Sequence, residues 1–219
     1  MKIGVLGTGI VGETIGTALV NKNHTVMLGS RKAGNEKSAA WKKKAGERAS
    51  TGTFDDAALY GELIFLCLNG EHTLDAMRSV NTQNLNNKII IDLTNPLDFS
   101  GGMPPKILEE FRDTSLGEKV QEHVPNAYVV KTLNTVNCNV MVDASRINAG
   151  DHNLFLCGND ADAKNKVKHF LVDNFNWKPD RLIDLGGIVA ARCAEAFVPL
   201  WVLVMQAEGT PIFNFKLVK

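Results

Sequence analysis

A short apolar run at residues 3–6 passes directly into Gly7-Thr8-Gly9-Ile10-Val11-Gly12, and this junction limits the fold more than anything else in the chain. A buried strand, a tight glycine turn and a helix start, in that order, open a βαβ unit that binds a dinucleotide. The three glycines have separate tasks. Gly7 can turn the chain sharply, Gly9 lets backbone approach a diphosphate, and Gly12 lets the helix pack close against the strand. The diphosphate would rest on free N–H groups at the helix start, where the helix dipole favours negative charge.

Glycine-rich hairpins match the same spacing by chance, so the flanking pattern decides. Residues 13–21 carry Ile15, Ala18 and Leu19 at helical spacing, and Asn23-His24 suits a turn. Residues 25–28 then form a second β-rich run, ending at Gly29-Ser30-Arg31-Lys32. That completes a βαβ unit of about the required length. The end of the second strand selects the cofactor. An NAD enzyme places Asp or Glu there for the ribose 2′-hydroxyl, whereas an Arg accommodates a 2′-phosphate. This chain has no acid until Glu36. Arg31 can hold a phosphate through two parallel bonds, Lys32 adds a point charge and Ser30 a hydroxyl donor. The expectation is NADP(H), in preference to a merely solvated basic turn.

A chain of 219 residues accommodates one large α/β domain with a modest appendage. Its net charge is zero, so no broad basic field argues for nucleic acid or a membrane surface. The basic run Lys42-Lys43-Lys44 is expected on a solvated helix face. Cys67, Cys138, Cys157 and Cys193 are widely spaced without a CxxC pair, which suits a reducing cytosol and suggests neither zinc nor a disulfide framework. The glycine-interrupted N-terminus does not read as a signal sequence. The apolar stretch 197–205 is too short to span a bilayer. The expectation is a cytoplasmic protein with no metal site.

Further strands are expected at 62–68, 88–92, 127–131, 154–157 and 181–185, several of them nearly continuous apolar runs of the kind found in parallel sheets covered on both faces. Residues 35–49 suit a polar helix with Ala39, Ala40, Trp41 and Ala45 on its inner side, followed by a turn at Gly52. Residues 53–58 suit a short capped helix. Asn69-Gly70-Glu71-His72 opens another helix through Val80, and Asn159-Asp160 caps one over 161–175. Residues 99–105 form a loop that could fold over a ligand or be a plain surface excursion. A long apolar helix is expected over 188–208, with Ala191, Phe197, Leu200, Trp201 and Val204 inward and a kink at Pro199. Such a helix is too apolar to lie bare, so it should cover the substrate edge, pack against a second subunit, or both.

The fold expected is α/β: a Rossmann-like, doubly wound, mostly parallel sheet with a short helical C-terminal extension. Its NADP-binding domain would occupy 1–185, and a helical segment for substrate covering and dimerisation 186–219. Open parallel sheets bind ligands beyond the carboxyl ends of their strands, which gathers Gly9, Arg31, Asn69 and Asn95 on one edge and delivers residues 132–136 to it.

Over nearly its whole length the chain resembles the F420-dependent NADP oxidoreductases, and more distantly the reductase domain of the STEAP metalloreductases. The resemblance is carried by the motif at 7–12, Gly29-Ser30-Arg31-Lys32, Glu71-His72, Asn95-Pro96-Leu97, Val130-Lys131-Thr132-Leu133-Asn134-Thr135, Cys157-Gly158-Asn159-Asp160 and the run near Pro199. It implies that Thr8, Gly9, Ile10 and Val11 hold the diphosphate, between Gly7 and Gly12, and that Ser30, Arg31 and Lys32 hold the 2′-phosphate. It also implies that Leu68, Asn69 and Gly70 line the adenosine and nicotinamide-ribose path, with Asn95 and Pro96 near the nicotinamide. Asn134 and Val136 fall where the family contacts its second, deazaflavin substrate, with Cys138 close by. The chain departs from the pattern in two places. Relatives that use the deazaflavin can carry His where this chain has Asn134, and Pro-Trp where it has Asn69-Gly70.

The activity expected is hydride transfer between NADPH and a flavin-like or deazaflavin (F420) acceptor, by a homodimer acting on a small-molecule redox substrate. No catalytic acid or base is assigned. Neither Tyr60 nor Tyr128 has a Lys four residues on, although His72, His152 or a water could serve. His72 is read first as a capping or packing residue, and the cysteines as packing residues. Two alternatives stand beside this reading. One is an imine or small-carbonyl reductase, which would need a larger helical domain than the chain has after Leu185. The other is a non-catalytic NADPH-binding sensor.

Overall fold

The computed structural model describes residues 1–218. Five strands come first: β1 (Lys2–Leu6), β2 (Thr25–Ser30), β3 (Ala49–Thr53), β4 (Leu63–Leu66) and β5 (Ile89–Asp92). A two-stranded ribbon of β6 (Leu97–Asp98) and β7 (Lys106–Ile107) follows, then β8 (Tyr128–Thr132), β9 (Leu154–Cys157) and β10 (Leu182–Asp184). All but the ribbon join one sheet in the order β10-β9-β8-β5-β4-β1-β2-β3. The six strands from β3 to β8 are parallel, and β9 runs antiparallel to β8. The chain winds outward from β1 to β3, then returns to β4 on the other side of β1. The crevice between β1 and β4 is therefore the topological switch point.

The parallel strands are in register. Gly29, Leu6, Leu66, Asp92 and Lys131 form one row across β2, β1, β4, β5 and β8. Strand ends in one row make one edge, and everything that follows them emerges together. Helices α1 (Ile10–Asn21), α2 (Glu36–Ala45), α3 (Phe54–Tyr60), α4 (Gly70–Arg78), α5 (Leu116–His123), α6 (Cys138–Met141) and α7 (Ala161–Phe175) connect the strands. They divide the core into two layers: Ile15, Phe65 and Phe175 belong to one, and Ile64, Met77 and Val120 to the other.

Several expectations are corrected here. Residues 49–53 are a strand: the polar sequence Ala-Ser-Thr-Gly-Thr lies at the sheet edge, where one face meets water, and Ser50 Oγ donates to the Val26 carbonyl. Gly52 is inside that strand and is not a turn. Helix α1 starts at Ile10, capped by Gly9, three residues before its apolar pattern begins. In α2 the inner residues are Ser38 and Trp41, while Ala39 and Ala40 are exposed. The Trp41 ring lies over Gly16, and its indole N–H donates to Thr17 Oγ1 at 3.0 Å. The C-terminal run divides into α8 (Ala191–Ala196) and α9 (Val198–Glu208), with Pro199 in the first turn of the second. Leu200, expected inside, is exposed.

Candidate functional site

Gly7 leaves β1 with φ of +132°, a conformation that L side chains rarely adopt, and its N–H bonds the Gly29 carbonyl of β2. A Cβ on Gly12 would lie 2.2 Å from the Gly7 carbonyl oxygen, so the first turn of α1 can sit this close only with glycine there. A Cβ on Gly9, by contrast, would meet nothing within 4 Å. Gly9 is exposed at the edge, and the space above it is open to a ligand. The helix has no side-chain cap, and the N–H groups of Ile10, Val11 and Gly12 have no partner among the described residues. This combination is an anion cradle at a helix start. Thr8 and Val11 flank it half-buried, and Ile10 is exposed.

One strand along, the chain leaves β2 at Ser30. Its buried hydroxyl donates to the Lys32 carbonyl at 2.7 Å. In this arrangement the proton shapes the turn that presents the next two residues. Arg31 and Lys32 are exposed, and among the described residues neither has a carboxylate within ion-pair distance. A pair of uncommitted cations beside the cradle fits the extra phosphate of NADP(H).

On the other side of β1, Asn69 caps α4, its Oδ1 accepting from the Glu71 N–H at 3.0 Å. Gly70 is a packing requirement, because a Cβ there would lie 2.0 Å from the Asn95 carbonyl oxygen. Leu68 is half-buried and Pro96 buried beside them. Gly9, Asn69, Asn95 and Asn134 each lie three residues beyond the common row. The structure thus brings together, on one edge, residues spread over more than half the sequence.

The residues expected at the second substrate behave differently. Asn134 is buried, and its Nδ2 donates to Asn95 Oδ1 at 2.9 Å and to the Ala194 carbonyl at 3.1 Å. Both amide protons are committed, which leaves none for a substrate. Val136 is a core residue, and Cys138 packs half-buried against the core at the start of α6. Within the chain all three therefore make internal contacts, Asn134 through hydrogen bonds and Val136 and Cys138 through packing. Cys67 and Cys157 are buried thiols; burial pushes Cys67 far up, and pushes Cys157 up to about 12. His152 is also structural, with Nε2 at the Ala144 carbonyl and Nδ1 at Asn214 Nδ2. Tyr128 lies at the opposite, amino edge of the sheet. A cavity of 880 Å³ opens at that edge, but its walls include Glu118, Glu122 and Asp160, which suit no phosphate.

A buried group escaped the sequence reading: Asp92, Lys131 and Glu195 meet behind the edge, Lys131 Nζ lying 3.0 Å from Asp92 Oδ2 and 2.8 Å from Glu195 Oε1. Burial opposes the ammonium charge, but the two carboxylates outweigh it and raise the Lys131 pKa above its usual value. Two opposite charges ending adjacent apolar strands, with an acid inside an apolar helix, were the available signal.

Comparison with known proteins agrees with this geometry. Residues 2–96 match the family described as NADP oxidoreductase coenzyme F420-dependent. An F420-dependent NADP reductase from Methanocaldococcus jannaschii is 32% identical over 97% of both chains. The crystal structure of a candidate F420-dependent NADP reductase from Arthrobacter sp. FB24 is 40% identical, covers 100% of both chains and superposes with a TM-score of 0.92. The metalloreductase STEAP3 of Rattus norvegicus is 28% identical over 92% of this chain and 37% of its own length. With the cradle, the free cations and the match over the full sheet in hand, the chain belongs to the F420-dependent NADP oxidoreductase family and is an oxidoreductase whose cofactor is NADP(H).

Proposed function

We propose that the protein moves hydride between NADP(H) and a planar flavin-like or deazaflavin acceptor of the coenzyme F420 type. The observation that carries this reading is the single row of strand ends, with an open cradle and uncommitted cations toward one side and a pair of neutral amides toward the other. In this reading the N–H groups of Ile10, Val11 and Gly12 hold the diphosphate, with Thr8 and Gly9 beside it. Arg31 and Lys32 take the 2′-phosphate, and Leu68, Asn69 and Gly70 line the path to the nicotinamide near Asn95 and Pro96. Bound NADPH supplies the hydride, and the chain's task is to hold donor and acceptor in reacting distance and out of water.

Asn95 and Asn134 hold each other and carry no charge, which suits an acceptor that spreads its new charge over a ring. Reduction of a small carbonyl or imine asks for a positioned proton donor; His152 and Tyr128 are engaged or placed elsewhere, which leaves His72, exposed in the first turn of α4, as the candidate that the alternative would need. We further propose that the C-terminal segment, of which residues 186–218 are described, walls the acceptor side and pairs two copies of the chain, and that the protein works in the cytoplasm.

The test is oxidation of NADPH against coenzyme F420, FMN, FAD, ferric chelates and small carbonyls. Rapid turnover with F420 or a flavin and none with carbonyls is the expected result. Preference for carbonyls or imines would replace the acceptor assignment. Tight NADPH binding without oxidation by any acceptor would make the protein a sensor.

A further inference from the structure

Behind the ring end of the edge, the ammonium of Lys131 joins three separate stretches of chain. It donates to Asp92 Oδ2 on β5, to the Thr94 carbonyl in the turn that follows, and lies 2.8 Å from Glu195 of α8. Asp92, Lys131 and Glu195 are almost completely buried. Asp92 Oδ1 takes the Thr94 N–H and hydroxyl at 2.8 and 2.6 Å. Glu195 also accepts the N–H groups of Leu116 and Gly117, both at 2.9 Å, and so caps α5 from another helix.

One ammonium facing two carboxylates is a poor device for stability, since apolar side chains of the same volume often do as well. Its geometry suggests a different use. A trans peptide is planar, with carbonyl and N–H pointing in opposite directions. The Thr94 carbonyl is drawn inward to Lys131, so the N–H of Asn95 is turned outward, and no group among the described residues accepts it. Through Glu195 the same ammonium anchors α8, whose Ala194 carbonyl accepts from Asn134. The peptide on the cofactor side and the helix on the acceptor side therefore share one buried anchor.

We propose that Lys131 is a positioning residue for hydride transfer: through Thr94 and Glu195 it fixes the outward Asn95 N–H and helix α8 relative to each other, and so sets how the donor ring meets its acceptor. This rests on the function proposed above. Lys131 touches neither ring, so NADPH affinity, set mainly by the cradle and Arg31, should be nearly independent of it.

Glu195→Gln keeps the side-chain shape and leaves Lys131 and Asp92 as a neutral pair, so it isolates the hold on α8. Lys131→Met removes the anchor, and Lys131→Arg restores a cation. Three quantities are measured: the NADPH dissociation constant by calorimetry, the emission anisotropy of bound reduced nicotinamide, and the single-turnover rate with F420 or FMN. In Glu195→Gln the affinity should stay within about twofold while the anisotropy falls and the rate drops about ten- to a hundredfold, the size of effect a misplacement near 1 Å produces. Lys131→Met should show the same pattern more strongly, and Lys131→Arg should recover part of it. Should Lys131→Met not fold, Glu195→Gln decides alone. Unchanged anisotropy and rate in folded Glu195→Gln, or a rate loss that only follows lost NADPH affinity, would overturn the proposal. A wild-type protein that binds NADPH yet reduces no acceptor would overturn the functional reading instead, and the anisotropy would still report on the ring.

Discussion

Asn95 and Asn134 are locked in a reciprocal pair: Asn95 Nδ2 donates to the Asn134 carbonyl and Asn134 Nδ2 to Asn95 Oδ1, both at 2.9 Å. The pair bridges the turns after β5 and β8, and Asn134 extends it to α8 through the Ala194 carbonyl. Asn134→Ala strips a buried acceptor, the Ala194 carbonyl, and a half-buried one, Asn95 Oδ1, of their donor at once. The cost should be about 1–3 kcal/mol. In a domain of this size each kcal/mol moves the melting temperature by about 2–4 °C, which calorimetry resolves. A variant that melts with the wild type would show that water replaces the amide without loss.

Arg31→Ala removes a guanidinium that no carboxylate of the described chain engages. A charge-assisted bond contributes about 1.5–3 kcal/mol, so NADPH should bind about ten- to a hundredfold more weakly. NADH, which lacks the 2′-phosphate, should bind the variant and the wild type almost equally. Titration of both nucleotides checks this, and equal losses for the two would place the phosphate elsewhere.

Two glycines three residues apart should fail in opposite ways. Gly12→Ala drives a methyl into the Gly7 carbonyl, at 2.2 Å, and should destabilise the fold by about 1–3 kcal/mol whether or not nucleotide is present. Gly9→Ala meets no protein atom within 4 Å, so the free protein should melt normally while NADPH affinity falls. Melting curves with and without NADPH separate the cases. A Gly9→Ala protein that binds NADPH normally would remove the diphosphate from the cradle.

The geometry around the cradle was legible because it is local: six consecutive residues lead from β1 into α1, and the exposed cations Arg31 and Lys32 directly follow β2. Strands β1, β4 and β5 were legible for a similar reason, each being an apolar run that only a doubly covered strand explains. Strand β3 was not, since an edge strand meets water on one side and Ala49 to Thr53 carries no apolar alternation. The surroundings of the acceptor half were not legible in the same way. Whether Asn134 is free or spent depends on Ala194, sixty residues away, and Val136 could as well have lined a pocket as filled the core. Lys131 carried no assignment beyond its place in strand 127–131 and the motif around it. Only the register that sets it beside Asp92, and the helix that brings Glu195 over it, turns it inward.

Arg192 of α8 grips Glu118 of α5 with two bonds, at 2.8 and 2.7 Å. These bonds, foremost among the causes, hold the Glu118 carboxyl below its ordinary value of 4.5, against the opposing effect of burial. A depressed folded-state value means the contribution is full above about pH 4.5 and is lost as pH falls through the folded pKa. Amide exchange in α8 should therefore quicken, relative to the rest of the chain, as the pH falls below about 4.5. Glu118→Gln should show the faster α8 exchange already at neutral pH, with little further change on acidification. An α8 protected equally at neutral and acid pH, in wild type and variant, would show that Glu195 alone fastens the helix.

The helical run Ile188–Glu208 is by length and composition able to cross a membrane, and only 33% of its most apolar 18-residue stretch is buried within the chain. Its first part is tied down by the charged contacts of Arg192 and Glu195, which a hydrocarbon layer would not tolerate. The uncovered part presents Leu200 and Leu203, 49% and 46% exposed, on α9. An apolar helix face of this kind is stabilised when a second copy covers it, and one face on each of two copies makes a closed twofold pair. Light scattering after size exclusion should give the mass of two chains for the wild type. Leu200→Glu with Leu203→Glu should give one chain, folded and with NADPH affinity retained, because the cradle lies on the far side of the Lys131 anchor. A wild-type monomer at micromolar concentration would leave that face without the partner proposed for it.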